Sequence, residues 1–470
     1  MTAVARRAAY VAIVAPLGIG ALVARALAAR HPHALDVDFA QPLVVATAWH
    51  AYGTIAFAIL AASVATSAVL LLYALRADLT IARASADEAP PAASSRNDLP
   101  AILAAATLGL ACVAAWPFVF SSDVYAYAAY GHLALHGLDP YVPTAAGQHD
   151  AFLDAARWQW RGPVPVDVYG PAMVGLEQAT VALAGDRDVG AALAAFRLTA
   201  ALAFLGSVAL AYAALRDVSP RVRTARVCAY ALHPVVLWGV AEGHNDAVVL
   251  LVLGLGAVAL ARGRGAAGAI FIGLTPLLKA PGAIFASLLV LDAGARASAG
   301  ARATPRRTAI IAAVALALAA ALALVPLLPA LAHVRRVGTY TPSVSLAGLA
   351  GPFVAGSVAV LALSLGCKRI ATGARSGYAW VGIAAIAALP NVYPWYALWL
   401  VPLALVAEGG PASAALWVAT IFAVARYLPD ASGSPDAGGA RLFAAAAIAP
   451  LVLALADVSF RRPKKEPYRS

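Results

Sequence analysis

A chain of 470 residues that is 62% hydrophobic and 12% charged, with a mean hydropathy of +0.79, is excluded from the ordinary soluble class, where about 25% of residues are charged. Burying so much apolar surface requires lipid as a second solvent. The net charge of +11 lies in short basic clusters between apolar runs, a topology signal rather than a nucleic-acid surface, and Cys112, Cys228 and Cys367 form neither a CxxC pair nor a disulfide framework.

The apolar runs are continuous, not alternating, and backbone in lipid must be satisfied within its own segment. The expected class is therefore an all-α polytopic integral membrane protein with about 12–14 transmembrane helices. A first helix is expected over 8–28, after Arg6 and Arg7. Ala26-Leu27-Ala28 also suits a signal-peptide cleavage site, but an uncleaved helix is the preferred reading. The loop 31–41 carries Asp36 and Asp38 without Lys or Arg and is placed outside. A second helix over 50–75 leads into a cytoplasmic linker, 76–100, rich in Ala, Pro, Ser and charge. These parts make an N-terminal region, 1–99.

A third helix, 100–120, delivers a polar loop, Ser121 to Pro171, to the outer face. The loop holds Asp123, Asp139, Asp150, Asp154 and Asp167 in a chain otherwise dominated by Ala, Leu and Val. Its segment 124–136 is expected as a surface helix whose Tyr125, Tyr127 and Tyr130 suit the membrane interface, and 149–160 as a second one. The apolar segment 171–184 has about 14 residues against the roughly 20 a span needs. Read as re-entrant, it puts Arg216, Arg221, Arg223 and Arg226 inside and Glu242-Gly243-His244-Asn245-Asp246 outside. Spans follow over 190–215, 224–241 and 246–262, and the run 266–292 breaks at Lys279-Ala280-Pro281-Gly282. The catalytic region is thus 100–300. The region 301–470 contributes spans over 307–330, 346–366, 377–391, 393–408, 411–428 and 440–457, and a basic cytoplasmic tail.

The candidate chemistry gathers on the outer side. Asp123 follows an apolar span directly, where a carboxylate is able to take a proton from an attacking hydroxyl; a helix N-cap is the plainer role for the same residue. Asp139-Pro140-Tyr141 and Tyr169-Gly170-Pro171 are turns with an aromatic face fit for a sugar ring, or simple interface anchors. His244, Asn245 and Asp246 orient a substrate or cap the following helix. Lys279, in an apolar stretch, is costly to bury without an anionic partner, and Arg335 and Arg336 suit a phosphate; contact with lipid headgroups is the alternative for all three. His132 and His136 have metal-ligand spacing but read as surface histidines. Glu177 and Arg197 read as a structural ion pair.

The run SSDVYAYAAYGHLALHGLDPY, then VYGP, EGHNDA, LLKAPG and YPWYALW, in that order from Ser121 to Trp399, resembles the GT-C glycosyltransferases. It is most similar to the polyprenol-phosphate-mannose-dependent α-1,6-mannosyltransferases. The resemblance implies a multispanning helical enzyme of the cell membrane with its site on the extracytoplasmic face. It implies a polyprenyl-phosphate-sugar donor; a glycan or glycolipid acceptor and a transfer that uses no metal or other cofactor are the expectation built on it. By resemblance Asp123 becomes the catalytic base of an inverting transfer. Lys279, Arg335 and Arg336 become candidates for the donor phosphate. Tyr127, Asp139, Tyr141, Tyr169, His244, Asn245, Asp246, Tyr393 and Trp395 become candidates for substrate binding. Another donor sugar, glucose or arabinose, and a transporter or flippase of lipid-linked sugars are the alternatives. The first hundred residues match nothing in the pattern.

Overall fold

Alanine and leucine are the strongest helix formers among apolar residues, and the described residues are helical nearly throughout. The computed structural model describes residues 3–30, 44–45, 53–84, 98–145, 147–160, 162–216, 218–299, 303–337, 345–407 and 411–428. Prolines mark many helix starts: Pro171, Pro220, Pro234 and Pro352 each stand first in a helix, where a missing N–H costs nothing.

Helix α1 (Ala3–Arg30) packs on α2 (Gly53–Ala84) and α3 (Leu99–Ala114). A two-residue strand, β1 (Val44–Val45), pairs in parallel with β2 (Phe118–Val119). After β2 come α4 (Asp123–Leu135), α5 (Ala151–Trp160) and α6 (Pro171–Ala184). The central group is α7 (Val189–Ala214), α8 (Pro220–Ala231), α9 (Pro234–Ala241) and α10 (Asp246–Ala261). Helices α11 (Gly265–Leu278) and α12 (Ala280–Ala299) both pack on the long α13 (Ala303–Val337). Then come α14 (Leu346–Ala350), α15 (Pro352–Ala371), α16 (Gly377–Ala388), a 3₁₀ turn at Pro394–Tyr396, α17 (Ala397–Val406), α18 (Pro411–Phe422) and a last 3₁₀ turn at Ala423–Arg426.

Among the described residues, five helical stretches are long and apolar enough to cross a membrane: Ala5–Arg30, Gly53–Leu75, Val189–Ala214, Ile310–His333 and Pro352–Ala371. The pair α9–α10, bent by 113° at its break, makes a sixth if it acts as one span, and six shorter apolar helices accompany them. Along Ile310–His333 only 28% of the most apolar window is buried, and Leu318, Leu322 and Val325 point outward. Such a face has the length and apolar character of one that meets lipid.

Several expectations change. The span expected over 224–241 is two helices, because Pro234 forces His233 into an extended conformation, φ −64° and ψ 118°. The third helix ends at Ala114, short of Pro117. Helix α2 runs on to Ala84 through the first part of the expected linker. Helix α4 forms where expected, but Tyr125, Tyr127 and Tyr130 are at most 4% exposed. They pack inward against α5, α6 and α7 instead of lining the lipid interface. The break at Lys279 is present, with that residue extended between α11 and α12. The loop 31–41, the span 440–457 and the basic tail lie outside the described residues.

Candidate active site

The site is assembled where five interruptions of the apolar helices meet: the entry to α4, the turn before α6, the α9–α10 break, the α11–α12 break and the turn before α17. Apolar helix interiors have no use for a carboxylate. Polar groups therefore collect where the backbone itself exposes N–H and C=O groups that need partners.

Asp123 is the first residue of α4, where the helix dipole favours a negative charge. The capping role does not materialise: Ser122 holds the N-cap position, and no side-chain cap is made there. Instead the Tyr127 hydroxyl, one turn along, donates to Asp123 Oδ2 at 3.4 Å. His244 Nδ1 lies 3.7 Å from the same oxygen and 3.3 Å from the Tyr127 hydroxyl. Tyr169 continues the line, donating its hydroxyl to that of Tyr127 at 3.4 Å. The His244 ring stacks on Trp395 at 4.2 Å, and Trp395 stacks on Tyr393 at 4.4 Å. The α9–α10 break turns on Gly243, whose φ of +93° is a conformation only glycine adopts without strain.

The next layer is held by Lys279. Its Nζ donates to Asp246 Oδ1 at 2.8 Å and to Asn245 Oδ1 at 3.1 Å, and it sits 4.7 Å from the centre of the Tyr169 ring. Trp399 Nε1 donates to the same Asp246 oxygen. Gly170 N–H donates to Leu278 O at 2.9 Å, which ties the Tyr169-Gly170-Pro171 turn to the α11–α12 break. A Cβ at Gly170 would come within 2.1 Å of the Leu277 carbonyl oxygen, so this approach requires glycine.

Of the expected residues, Asp123, Tyr127, Tyr169, His244, Asn245, Asp246, Lys279, Tyr393 and Trp395 form one connected cluster. Asp139 does not join it: it is exposed and accepts from Tyr141 N–H at 2.8 Å, closing its own turn. Tyr141 packs with Val166, Leu327 and Ala330 in a separate apolar group. Arg335 and Arg336 lie near the end of α13, and their side chains lie outside the described residues. His132 faces Asp150 at 3.6 Å, His136 faces Asp186 at 3.9 Å, and the two rings lie 4.5 Å apart, away from the cluster. The ion pair expected between Glu177 and Arg197 does not form. Arg197 Nε donates to Ala241 O, and the Glu177 carboxylate is buried beside Asn245.

Sequence reasoning passed over Glu242, Trp399, Tyr427 and Asp167. Glu242 is 2% exposed, and a carboxylate so deeply buried must have partners, which the sequence does not name. It accepts from Phe120 N–H at 2.6 Å, Ser121 N–H at 3.1 Å and the Tyr427 hydroxyl at 2.7 Å.

Burial pushes the Asp123 carboxyl up from its ordinary value, and the nearby Asp246 and Glu242 add to the push; His244 and Lys279 pull the other way. Burial also holds the Tyr127 and Tyr169 hydroxyls well above the ordinary phenol range, so both serve as neutral donors. Asp167, fully buried and hydrogen-bonded to Tyr169 N–H, is pushed up to about 8 by burial, against the pull of Lys279. Because its folded value is raised, it contributes stability below the unfolded carboxyl range that is lost as pH rises towards about 8. Asp167→Asn, a mimic of the protonated acid, is therefore expected to raise the apparent Tm at pH 9 and leave it little changed at pH 5. Thermal unfolding in detergent at the two pH values checks this.

Residues 7–295 match the family model described as "Alpha-(1->6)-mannopyranosyltransferase, N-terminal domain". A curated relative, alpha-(1->6)-mannopyranosyltransferase A of Mycobacterium tuberculosis (strain ATCC 25618 / H37Rv), is 30% identical over 176 residues. That alignment covers 37% of this chain and 33% of the relative, so the chain spans about a third of the length of the relative it matches. No solved structure matches the chain.

Proposed function

The chain belongs to the alpha-(1->6)-mannopyranosyltransferase family, and from that premise we propose that it is a membrane mannosyltransferase. It takes mannose from a polyprenyl-phosphate-mannose donor and adds it to a hydroxyl of a lipid-linked glycan or similar acceptor. The reaction takes place on the extracytoplasmic face, with inversion at the anomeric carbon and Asp123 as general base.

One observation carries the reading. The Asp123 side chain keeps 18% exposure beside a His244 at 1%, and the part-buried Tyr169 and Tyr393 and the 11% exposed Lys279 share its opening. A carboxylate held by Tyr127 and His244 yet open on one side is placed to meet a hydroxyl brought by a substrate. Asp123 removes the proton of the acceptor hydroxyl. That oxygen forms a bond to C1 of the β-linked mannosyl phosphate, the C1–O bond to phosphate breaks, and the electron pair leaves with polyprenyl phosphate. General-base assistance of this kind is worth about 10²–10⁴ in rate. The phosphate is a good leaving group and calls for a cation rather than an acid. Lys279 spends two of its three N–H donors on Asn245 and Asp246, and the third is available to the phosphate. The stack His244–Trp395–Tyr393 offers an aromatic face to the sugar. The outward placement rests on the basic clusters, which the positive-inside rule puts on the cytoplasmic side.

The test uses purified protein in liposomes with β-linked polyprenyl-phosphate mannose, labelled at C1, and a lipid-linked mannan acceptor. The expected product is an α-mannoside, read by the anomeric NMR coupling. A β-mannoside would overturn the inverting mechanism. Transfer from the glucose or arabinose donor in place of mannose would overturn the sugar assignment. Movement of the donor across the bilayer without a new glycosidic bond would overturn the enzyme reading.

A further inference from the structure

The mechanism above uses one oxygen of Asp123 and leaves two facts unexplained. His244 lies between two carboxylates, with Nδ1 3.7 Å from Asp123 Oδ2 and Nε2 3.6 Å from Glu242 Oε2, and that buried Nε2 has no hydrogen-bond partner. Glu242, for its part, reaches out of the α9–α10 break to take the backbone N–H groups of Phe120 and Ser121, the residues that lead into Asp123. Its second oxygen is fixed by the Tyr427 hydroxyl, far along the chain. With three donors aimed at it, the carboxyl is arranged purely as an acceptor.

We propose that Glu242 is a positioning residue for the Asp123 base, fixing the backbone that carries Asp123 and holding His244 so that its Nδ1 receives the proton Asp123 collects. The inference rests on the reading of Asp123 as base. The proton leaves the acceptor hydroxyl for Asp123 Oδ2 as the C1–oxygen bond forms. In the tautomer the proposal assigns to His244, with its N–H on Nε2, the proton then passes to Nδ1, directly or across the Tyr127 hydroxyl, which lies 3.4 Å from Asp123 and 3.3 Å from Nδ1. The resulting imidazolium carries its other N–H, on Nε2, towards Glu242. Once the products leave, the proton returns through Asp123 to water at its open side, and both groups are restored for the next acceptor. No group is oxidised or reduced. Stacking on Trp395 fixes the ring plane, so Glu242 has only to set the ring's rotation within that plane.

The pH profile of kcat tests this, because several charges face the pair. Asp123 is faced by His244, Lys279, Asp246 and Glu242, with the Tyr127 and Tyr169 hydroxyls beside it. Glu242 is faced by His244, the Tyr427 hydroxyl and the Arg197 guanidinium. Glu242→Gln keeps the shape and an acceptor for Phe120 and Ser121 N–H but removes the charge. It is expected to lower kcat by about 10–10²-fold with little change in donor KM. It also moves the acid limb of the profile to lower pH, since a negative charge that opposed ionisation of Asp123 is gone. The lost charge moves the limb whatever else Glu242 does, so kcat decides: a Glu242 that only braced the fold leaves kcat per folded enzyme unchanged in Glu242→Gln, and that result overturns the proposal. His244→Gln leaves the clamp on Phe120 and Ser121 intact, so it decides the matter if Glu242→Gln fails to fold. A comparable loss of kcat supports the relay, and wild-type kcat overturns it. Asp123→Asn separates the two ideas: transfer surviving in that variant removes the base reading itself. Transfer lost there but unaltered in both Glu242→Gln and His244→Gln removes only this one.

Discussion

Asp123→Asn is expected to lower kcat by about 10²–10⁴-fold, equivalent to about 2.7–5.5 kcal/mol of transition-state stabilisation, while binding of the lipid donor is retained. The amide is nearly the same size and still accepts from Tyr127 through its oxygen, so the fold at the start of α4 stays intact. The amide cannot take a proton from a hydroxyl. Transfer assays alongside donor-binding measurements separate a chemical loss from a binding loss. The wild-type rate carries a second signature. Activity requires ionised Asp123, and burial raises its pKa, so the rate falls on acidification at a pH above the ordinary carboxylate value of about 3.9. That acid limb is expected to disappear from whatever activity remains in Asp123→Asn.

Lys279→Met is expected to be the most destabilising single change at the site, by about 3–5 kcal/mol. Asp246 is fully buried, and Lys279 is its only cationic hydrogen-bond partner among the described residues. Methionine fills the space of the lysine stem but strands a carboxylate in an apolar helix break. Trp399 Nε1 remains as a donor, and one neutral hydrogen bond does not offset a buried charge. The double variant Lys279→Met, Asp246→Asn removes both charges and is expected to recover much of the loss. Apparent Tm in detergent for the two single variants and the double one checks this as a double-mutant cycle. If the single and double variants lose equally, the pair is not what holds the break together.

The sequence made the helical class legible because composition alone forces it, and it placed the Lys279 break and the α4 helix correctly. Nine of the candidate residues come together because polar residues in an apolar chain have few places to go. The interior was harder to read. Tyrosines near a membrane edge suit the interface on hydropathy grounds, yet those of α4 turn inward to support Asp123. Nothing local to α4 distinguishes the two outcomes, since they depend on α5, α6 and α7 covering it. Asp139 and Tyr141 look like sugar-binding residues by type, but Asp139 closes its own turn and Tyr141 packs against α13. Glu242 was hidden for another reason. Its partners at Phe120 and Ser121 are backbone groups more than a hundred residues away, and backbone donors leave no mark in the sequence.

The distance between the Asp123 carboxylate and a bound donor tests the account most directly. A cryo-EM map of the protein with polyprenyl-phosphate mannose and an acceptor analogue would give it. The expected result is an acceptor oxygen about 3 Å from Asp123 Oδ2 and roughly 3–3.5 Å from C1 of the mannose, on the side opposite the phosphate. A mannosyl phosphate seated elsewhere, with Asp123 turned away from its anomeric carbon, would contradict the account.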